Sequence, residues 1–299
     1  VLKNGFMITV NSVSGGKTSA KLMIDFPADH NIFQLVRTDV LKAKFMKGKD
    51  EKTRQLISDR IGFEFVGTME EDECIYTILD LEQFTGQEIK INTSKKTFEE
   101  MILQHGNRYL PSPLRRYCTE ELKMQVAFEW WKENINEIVE MRIGYRANEM
   151  RRMASKIKSC DKNRIESFKH VIGTKVTKKG TQQIWQTTKF SKPIFPFIEL
   201  KPTWKDDIIK FWQDKPIRFA EFNNCVGCFH REPALLKYQW EKNPEKMQIF
   251  SDFEKNRKYS NDTLKADKDI TYEKIKNLNL NVKLTADSFS ECDSGYCGL

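Results

Sequence analysis

Between an apolar run, Phe6-Met7-Ile8-Thr9-Val10, and a helical pattern that sets Leu22, Met23 and Phe26 on one face stands Ser12-Val13-Ser14-Gly15-Gly16-Lys17-Thr18-Ser19. A buried strand, a Gly/Ser turn and a helix in that order aim backbone N–H groups and a helix N-terminus at one point, which suits an anion such as phosphate. Two glycines let the main chain approach the anion closely, and Lys17 adds a point charge. The P-loop pattern, Gly-x-x-x-x-Gly-Lys-[Ser/Thr], is excluded because its first glycine would fall on Asn11. An ordinary Gly-rich turn capped by Ser14 is the plainer alternative.

The pattern continues. Ile32–Thr38 reads as a second strand, 48–60 as helix and Phe63–Val66 as a third strand. Strands alternating with helices predict a parallel sheet with right-handed crossovers and ligands beyond the carboxyl ends of its strands. Thr97 with Glu100 forms a capping box, and Gly106 a stop. Thr119 is expected to cap a helix carrying Leu122, Val126 and Trp130. Residues 137–144 read as a fourth strand and 193–197 as a fifth. Thr203 and Asp206 mark another helix start, running to Trp212, and Pro233 and Pro244 sit at first-turn positions.

These elements predict an α/β fold: a parallel twisted sheet with helices on both faces, a basic hairpin insertion and a helical, cysteine-bearing C-terminal part. The nucleotide-binding domain is expected over 1–220 and the C-terminal subdomain over 221–299. The insertion, residues 155–192, holds ten Lys or Arg against two Asp or Glu. Its segments Val171–Thr177 and Gln183–Thr188, joined around Lys178-Lys179-Gly180, read as a hairpin, either a nucleic-acid arm or a solvated flap.

At 39% hydrophobic and 31% charged residues the chain is globular rather than disordered. No apolar run approaches the roughly 18–20 residues that span a bilayer, so no membrane partner is expected. No signal-peptide pattern is visible. Seven cysteines, an odd number, argue against a secreted disulfide framework and for a reducing cytoplasm with metal-binding or reactive thiols. The formal charge of +8 favours an anionic partner or, equally, reflects a lysine-rich solvated surface.

Three further blocks carry chemistry. In Arg115-Arg116-Tyr117-Cys118-Thr119-Glu120-Glu121-Leu122-Lys123, a helix N-terminus and adjacent arginines suit Cys118 to metal ligation or reactivity. Ile143-Gly144-Tyr145-Arg146-Ala147-Asn148-Glu149-Met150-Arg151-Arg152 follows a strand; Gly144 permits close approach, and Arg146, Arg151 and Arg152 can clamp phosphate or sulfate, unless Glu149 simply neutralises them. Cys225-Val226-Gly227-Cys228 places two sulfurs on one turn, with His230 nearby. Cys118, Cys225, Cys228 and a tail cysteine, Cys292 or Cys297, would make four thiolates, a set that suits an iron–sulfur cluster or zinc. Cys74 and Cys160 lack such company.

Taken in order, these blocks resemble the phosphoadenylyl-sulfate (PAPS) reductase-like family of the PP-loop ATP-pyrophosphatase superfamily. The loop is similar to Ser-x-Ser-Gly-Gly-Lys-Asp-Ser, with Thr18 where the family often has Asp. The cysteine block resembles Arg-[Phe/Tyr]-Cys-Thr-x-x-Leu-Lys, and the arginine block Ile-Gly-x-Arg-x-Asp-Glu-x-x-Arg, with Asn148 in place of Asp. The resemblance implies an adenine nucleotide, ATP or an adenylyl sulfate, held by Ser12, Ser14, Gly15, Gly16, Lys17, Thr18 and Ser19. Thr38 and Asp39 would lie near the nucleoside, and Gly144, Arg146 and Arg152 at the sulfate or distal phosphate. Lys17 and Cys297 are the catalytic candidates. Cys297-Gly298-Leu299 echoes the reductases' Glu-Cys-Gly-Leu-His ending, in which the cysteine attacks sulfur, but lacks its Glu and His. In related proteins that install sulfur in DNA backbones the clustered cysteines hold iron–sulfur. Cys297 is therefore either nucleophile or, with Cys118, Cys225 and Cys228, a ligand of a [4Fe-4S] cluster or zinc. The implied activity is reduction of an adenylyl sulfate or ATP-driven sulfur transfer, with a thiol reductant or sulfur-donor protein as partner. A metal-stabilised nucleic-acid-binding protein with a non-catalytic nucleotide loop is the reading from another class.

Overall fold

A computed structural model describes residues 7–106, 110–113, 115–177, 180–222, 224–256 and 270–278. The chain runs β1 (Thr9–Val13), α1 (Lys17–Asp25), β2 (His30–Leu35), β3 (Arg37–Thr38), α2 (Glu51–Ile61), β4 (Gly67–Thr68), α3 (Glu73–Thr85), β5 (Lys90–Thr93) and α4 (Phe98–Gln104). It continues through α5 (Tyr117–Thr119), a π-helical stretch over Glu120–Met124, α6 (Gln125–Asn134), β6 (Val139–Ile143), α7 (Met150–Lys158), β7 (Glu166–Thr177) and β8 (Gly180–Ile194). Helices α8 (Pro196–Glu199), α9 (Lys205–Trp212), α10 (Pro233–Lys242), α11 (Pro244–Lys255) and α12 (Tyr272–Lys276) complete it.

Six strands form one sheet in the order β5-β2-β1-β6-β8-β7, parallel except for the β7–β8 pair. The fold is thus α/β. Side chains alternate between faces along each strand. Val13, Phe33, Leu35 and Ile91 pack with α3 and α9, through Ile78, Leu81, Ile208 and Trp212. Val10, Ile32, Met141 and Ile143 pack on the other face with Phe128 and Trp131 of α6. A third apolar cluster joins Val36, Phe98 and Leu122 to Leu236, Phe250 and Tyr272 of the C-terminal helices.

Chain direction across the sheet decides where a site can lie. From β1 the chain moves to β2 and β5 on one side, then returns to place β6 on the other. The carboxyl ends of β1 and β6 are therefore the point where strand order reverses, and a crevice opens there in folds of this kind.

Several sequence expectations are corrected. Phe63–Val66 is no strand; Gly67–Thr68 pairs antiparallel with Arg37–Thr38 in a separate two-stranded sheet. The helix expected to start at a Thr119 cap starts at Tyr117, and Thr119 lies inside it. Residues 193–197 are not an independent strand: β8 runs unbroken from the hairpin into the sheet, and Pro196 opens a helical turn. The helix expected from Thr203 and Asp206 is capped one residue later, where the Trp204 N–H donates to Asp207 Oδ2 at 2.9 Å. The Thr97–Glu100 capping box and first-turn Pro233 and Pro244 are present as expected. Among the described residues no helix is long and apolar enough to cross a membrane.

Candidate functional site

The Gly/Ser turn lies at the carboxyl end of β1, with Gly16 at the N-cap of α1. Two serines fix the turn. The Ser14 N–H donates to Ser19 Oγ at 3.0 Å, and the Ser19 hydroxyl donates to the Gly16 carbonyl at 3.1 Å. The Ser14 and Ser19 hydroxyls also stand 3.0 Å apart. Gly15 has φ +74°, a left-handed conformation that side chains resist, and its α-carbon backs onto Cys74. The first N–H groups of a helix have no partners within it, so α1 presents donors at the turn. Lys17 is exposed there; its Nζ lies 5.8 Å from the Phe219 ring centre, and its carbonyl accepts from Trp212 Nε1 at 2.9 Å.

The arginine block meets this turn. A Cβ on Gly144 would lie 3.2 Å from the Ser19 Cα and 3.3 Å from its nitrogen, so any other residue would push the end of β6 and the first turn of α1 apart by a few tenths of an ångström. Arg146, buried, and Arg152 are both held by Glu149. Glu149 Oε2 accepts from the Arg146 N–H at 2.7 Å and from Arg146 Nε at 3.2 Å. Burial opposes ionisation of Glu149, but Arg152 and Arg146 prevail and hold its carboxyl below the ordinary glutamate range. The Arg152 guanidinium lies 4.2 Å from the Tyr145 ring centre, and Tyr145 stacks on Phe195. The neutralising role read for Glu149 and the clamp role read for the arginines thus share one network: two guanidinium groups and one carboxylate leave a net positive charge. Thr18 is buried in the first turn of α1, whereas Asn148 is exposed.

Thr38 is fully buried beyond β2, and its hydroxyl donates to Glu99 Oε1 at 2.5 Å. Burial pushes the Glu99 carboxyl up, against the Thr38 hydrogen bond. Asp39 is exposed beside Arg37, 3.9 Å away; its carboxyl is raised by partial burial more than Arg37 lowers it.

The cysteines are assembled from distant parts of the chain. Cys118, Cys225 and Cys228 line one cavity of about 50 Å³, walled mainly by apolar side chains including Val36, Phe98, Leu122 and Phe250. Cys118 lies in the first turn of α5, just before the π-helical stretch. Such stretches are frequent at functional sites. The Cys228 N–H closes the second turn on the Cys225 carbonyl at 3.0 Å, and the Val226 N–H ties that turn to Met69 at 2.9 Å. Tyr272 lies in the same cavity and donates to the Gly227 carbonyl. Burial first, then Glu254 and the three cysteines, push its phenol far up, so it stays neutral. No group of three or more His, Cys, Asp or Glu among the described residues could hold a metal ion, so these three thiols share a wall without forming a finished metal centre. Cys292 and Cys297 lie outside the described residues.

Four residues escaped the sequence reading. Cys74, set aside there as lacking company, backs the Gly/Ser turn at Gly15; burial and then Glu70 and Glu71 raise its thiol, which makes it an inert floor. Glu70, 1% exposed, accepts from Lys123 Nζ at 2.9 Å, and Lys123 lines the cysteine cavity. Glu71 accepts from Gln239 and the Glu221 N–H, and Asp72 from Lys246, which fastens α10 and α11 to the start of α3. The run Glu70-Glu71-Asp72 was the available signal: consecutive acids before an apolar helix need cationic partners once buried. Comparison of the chain with protein-family models, with curated proteins and with solved structures finds no match.

Proposed function

We propose that this chain is an adenine-nucleotide-binding enzyme of the PAPS reductase-like kind, with an adenine nucleotide alpha hydrolase-like fold. It reduces an adenylyl sulfate or transfers sulfur after ATP-dependent adenylation, served by a thiol reductant or sulfur-donor protein. One observation carries the reading: Gly144, at the carboxyl end of β6, abuts Thr18 and Ser19 in the helix turn that follows the Ser14–Lys17 segment after β1, where strand order reverses. Lys17 and the α1 N–H donors stand on one side of that junction, and Arg146 and Arg152, both paired with Glu149, follow it on the other.

In this reading the α1 N-terminus and Lys17 bind the phosphates, and Arg146 and Arg152, aimed by Glu149, orient the sulfate or distal phosphate. Thr38 and Asp39 border the nucleoside. The cysteine cavity, whose Lys123 is bound to the buried Glu70, is where sulfur is handled. A [4Fe-4S] cluster or zinc would be held by Cys118, Cys225 and Cys228 with Cys297 as the fourth donor. Metal bound there would fix the three chain segments and tune sulfur reactivity.

Calorimetric titration with ATP and with adenylyl sulfate tests the reading. A charge-assisted phosphate contact contributes roughly 1.5–3 kcal/mol, so Lys17→Ala is expected to weaken binding about tenfold or more. Equal affinity in that variant refutes the assignment. Iron, sulfide and zinc analysis after anaerobic purification identifies the metal, and Cys297→Ser separates ligand from nucleophile: a ligand's loss lowers metal content, a nucleophile's loss leaves it and abolishes single-turnover sulfur chemistry.

A further inference from the structure

The β7–β8 ribbon takes no part in the crevice. Its root is fixed: Phe168 and Phe190 are buried against Phe128, and Ser191 donates to Glu166 at 3.1 Å. From Lys169 outward the two strands stand in solvent, paired from Lys169↔Thr187 to Thr177↔Gly180. Eight residues of β7, Lys169–Val176, extend about 27 Å at strand rise.

Its chemistry is one-sided. Between Glu166 and Glu199 the sequence has no Asp or Glu. Among the described residues Lys169 and Lys175 have no carboxylate within ion-pair distance. Trp185 is 51% exposed and lies on the same face as Lys169, whose Nζ is 5.3 Å from its ring centre. Gln182, Gln183 and Gln186 are exposed and supply amide donors and acceptors.

Two occupants compete for such a surface. A second copy of the chain would add a strand to β7, the sheet edge. Lysines along that strand and the register break between Val171 and Gly173 oppose edge pairing. A polyanion meets no such obstacle. The major groove of B-form DNA, about 12 Å wide, admits a two-stranded ribbon, and Gln pairs with adenine there, whereas A-form RNA has a deep, narrow major groove. We propose that the β7–β8 ribbon is a docking arm for double-stranded DNA, with Lys169 and Lys175 on phosphates and the ribbon seated in the major groove.

Fluorescence anisotropy of a labelled 24-base-pair DNA duplex with the full chain, between 50 and 200 mM KCl, tests this. Each lost phosphate contact lowers the slope of log affinity against log salt by about 0.9. The double variant Lys169→Gln, Lys175→Gln is expected to reduce that slope by about 1.8 and affinity about tenfold at the lowest salt, and Trp185→Ala to weaken binding further. ATP titration of the same preparations reads the nucleotide site separately, and its affinity is expected to stay unchanged. Duplex binding equal in wild type and variants overturns the proposal, as does tighter binding of single-stranded DNA or duplex RNA. A concentration-dependent dimer abolished by Trp185→Ala, with no duplex binding, assigns the ribbon to a second copy and overturns it too.

Discussion

The β1/β6 crevice and the cysteine cavity are built in opposite ways. The crevice is polar and tied internally: Ser14 to Ser19, Gly144 against α1, Glu149 to two arginines. Its parts come from adjacent parallel strands, so the sheet registers them. The cavity is apolar, and its thiols come from α5 and a turn more than a hundred residues later, held by helix packing and by bonds from that turn to Met69, Tyr272 and Arg231. A site set by sheet register is ready before ligand arrives. A site set by helix packing can finish forming when its ligand draws the pieces together.

The strongest test of that contrast is Glu149→Gln. Removing one partner of a buried ion pair leaves charge uncompensated, typically at about 3–5 kcal/mol. Urea unfolding at neutral pH is expected to show a loss in that range, reduced because Arg152 keeps some exposure. The pH dependence has a definite sign. The folded Glu149 carboxyl lies below its ordinary value near 4.5, so its contribution is full above that value and is lost as pH falls through the folded one. The variant should lack this acid-side loss. An unchanged urea midpoint at neutral pH would mean that the crevice is not built around this pair.

Gly144→Ala comes next. Its Cβ would meet Ser19 backbone atoms at 3.2 and 3.3 Å, which cannot swing aside as a side chain can. Overpacking of this kind costs about 1–3 kcal/mol. Nucleotide affinity should fall with stability, since α1 must shift. Wild-type behaviour on both measures would show that the two blocks need not touch.

The cavity is expected to respond differently. Cys225→Ser in metal-free protein should change stability by less than about 1.5 kcal/mol, because no described ligand set is complete without a further donor. In anaerobically prepared protein the same variant should lower metal content and lose more stability than the metal-free form, since metal bound only by the folded state adds to folding free energy. Equal losses in both preparations would make the thiols ordinary packing groups and erase the contrast.

The contrast also explains what the sequence could disclose. The crevice was legible because strand, turn and helix are contiguous and Gly144 follows a strand directly. The capping box at Thr97 and the first-turn prolines were legible for the same local reason. The strand expected at Phe63–Val66 failed because an apolar run of four says nothing about its partner; Phe65 is buried under Phe45 instead. β5, which the sequence reading passed over, carries alternation over only four residues, Lys90–Thr93, too short to stand out. Cys74 and Glu70 were invisible as site residues because their neighbours in space are far away in sequence. The three cysteines of the cavity were grouped by chemistry rather than by pattern, and the chain brings them to one wall but does not by itself close them.

The smallest expected effect comes from a second glutamate beside the crevice. Glu99 contrasts with Glu149: it has a hydroxyl donor, Thr38, but among the described residues no arginine at ion-pair distance, and burial raises its carboxyl above the ordinary value near 4.5. A carboxyl raised in the folded state contributes fully below its unfolded value, where it holds a proton, and that contribution is lost as pH rises through the folded value. At pH 7 Glu99 is therefore a liability of folding, the reverse of Glu149. Glu99→Gln keeps an oxygen for the Thr38 hydroxyl and removes the charge, so a gain of about 0.5 kcal/mol is expected at pH 7. At pH 4, where the wild-type carboxyl is protonated in both states, the gain should vanish. Urea midpoints of both proteins at the two pH values measure it. A variant less stable than wild type at pH 7 would show that the fold stabilises the ionised Glu99 more than burial opposes it, and would tie it to the charged network around Arg37.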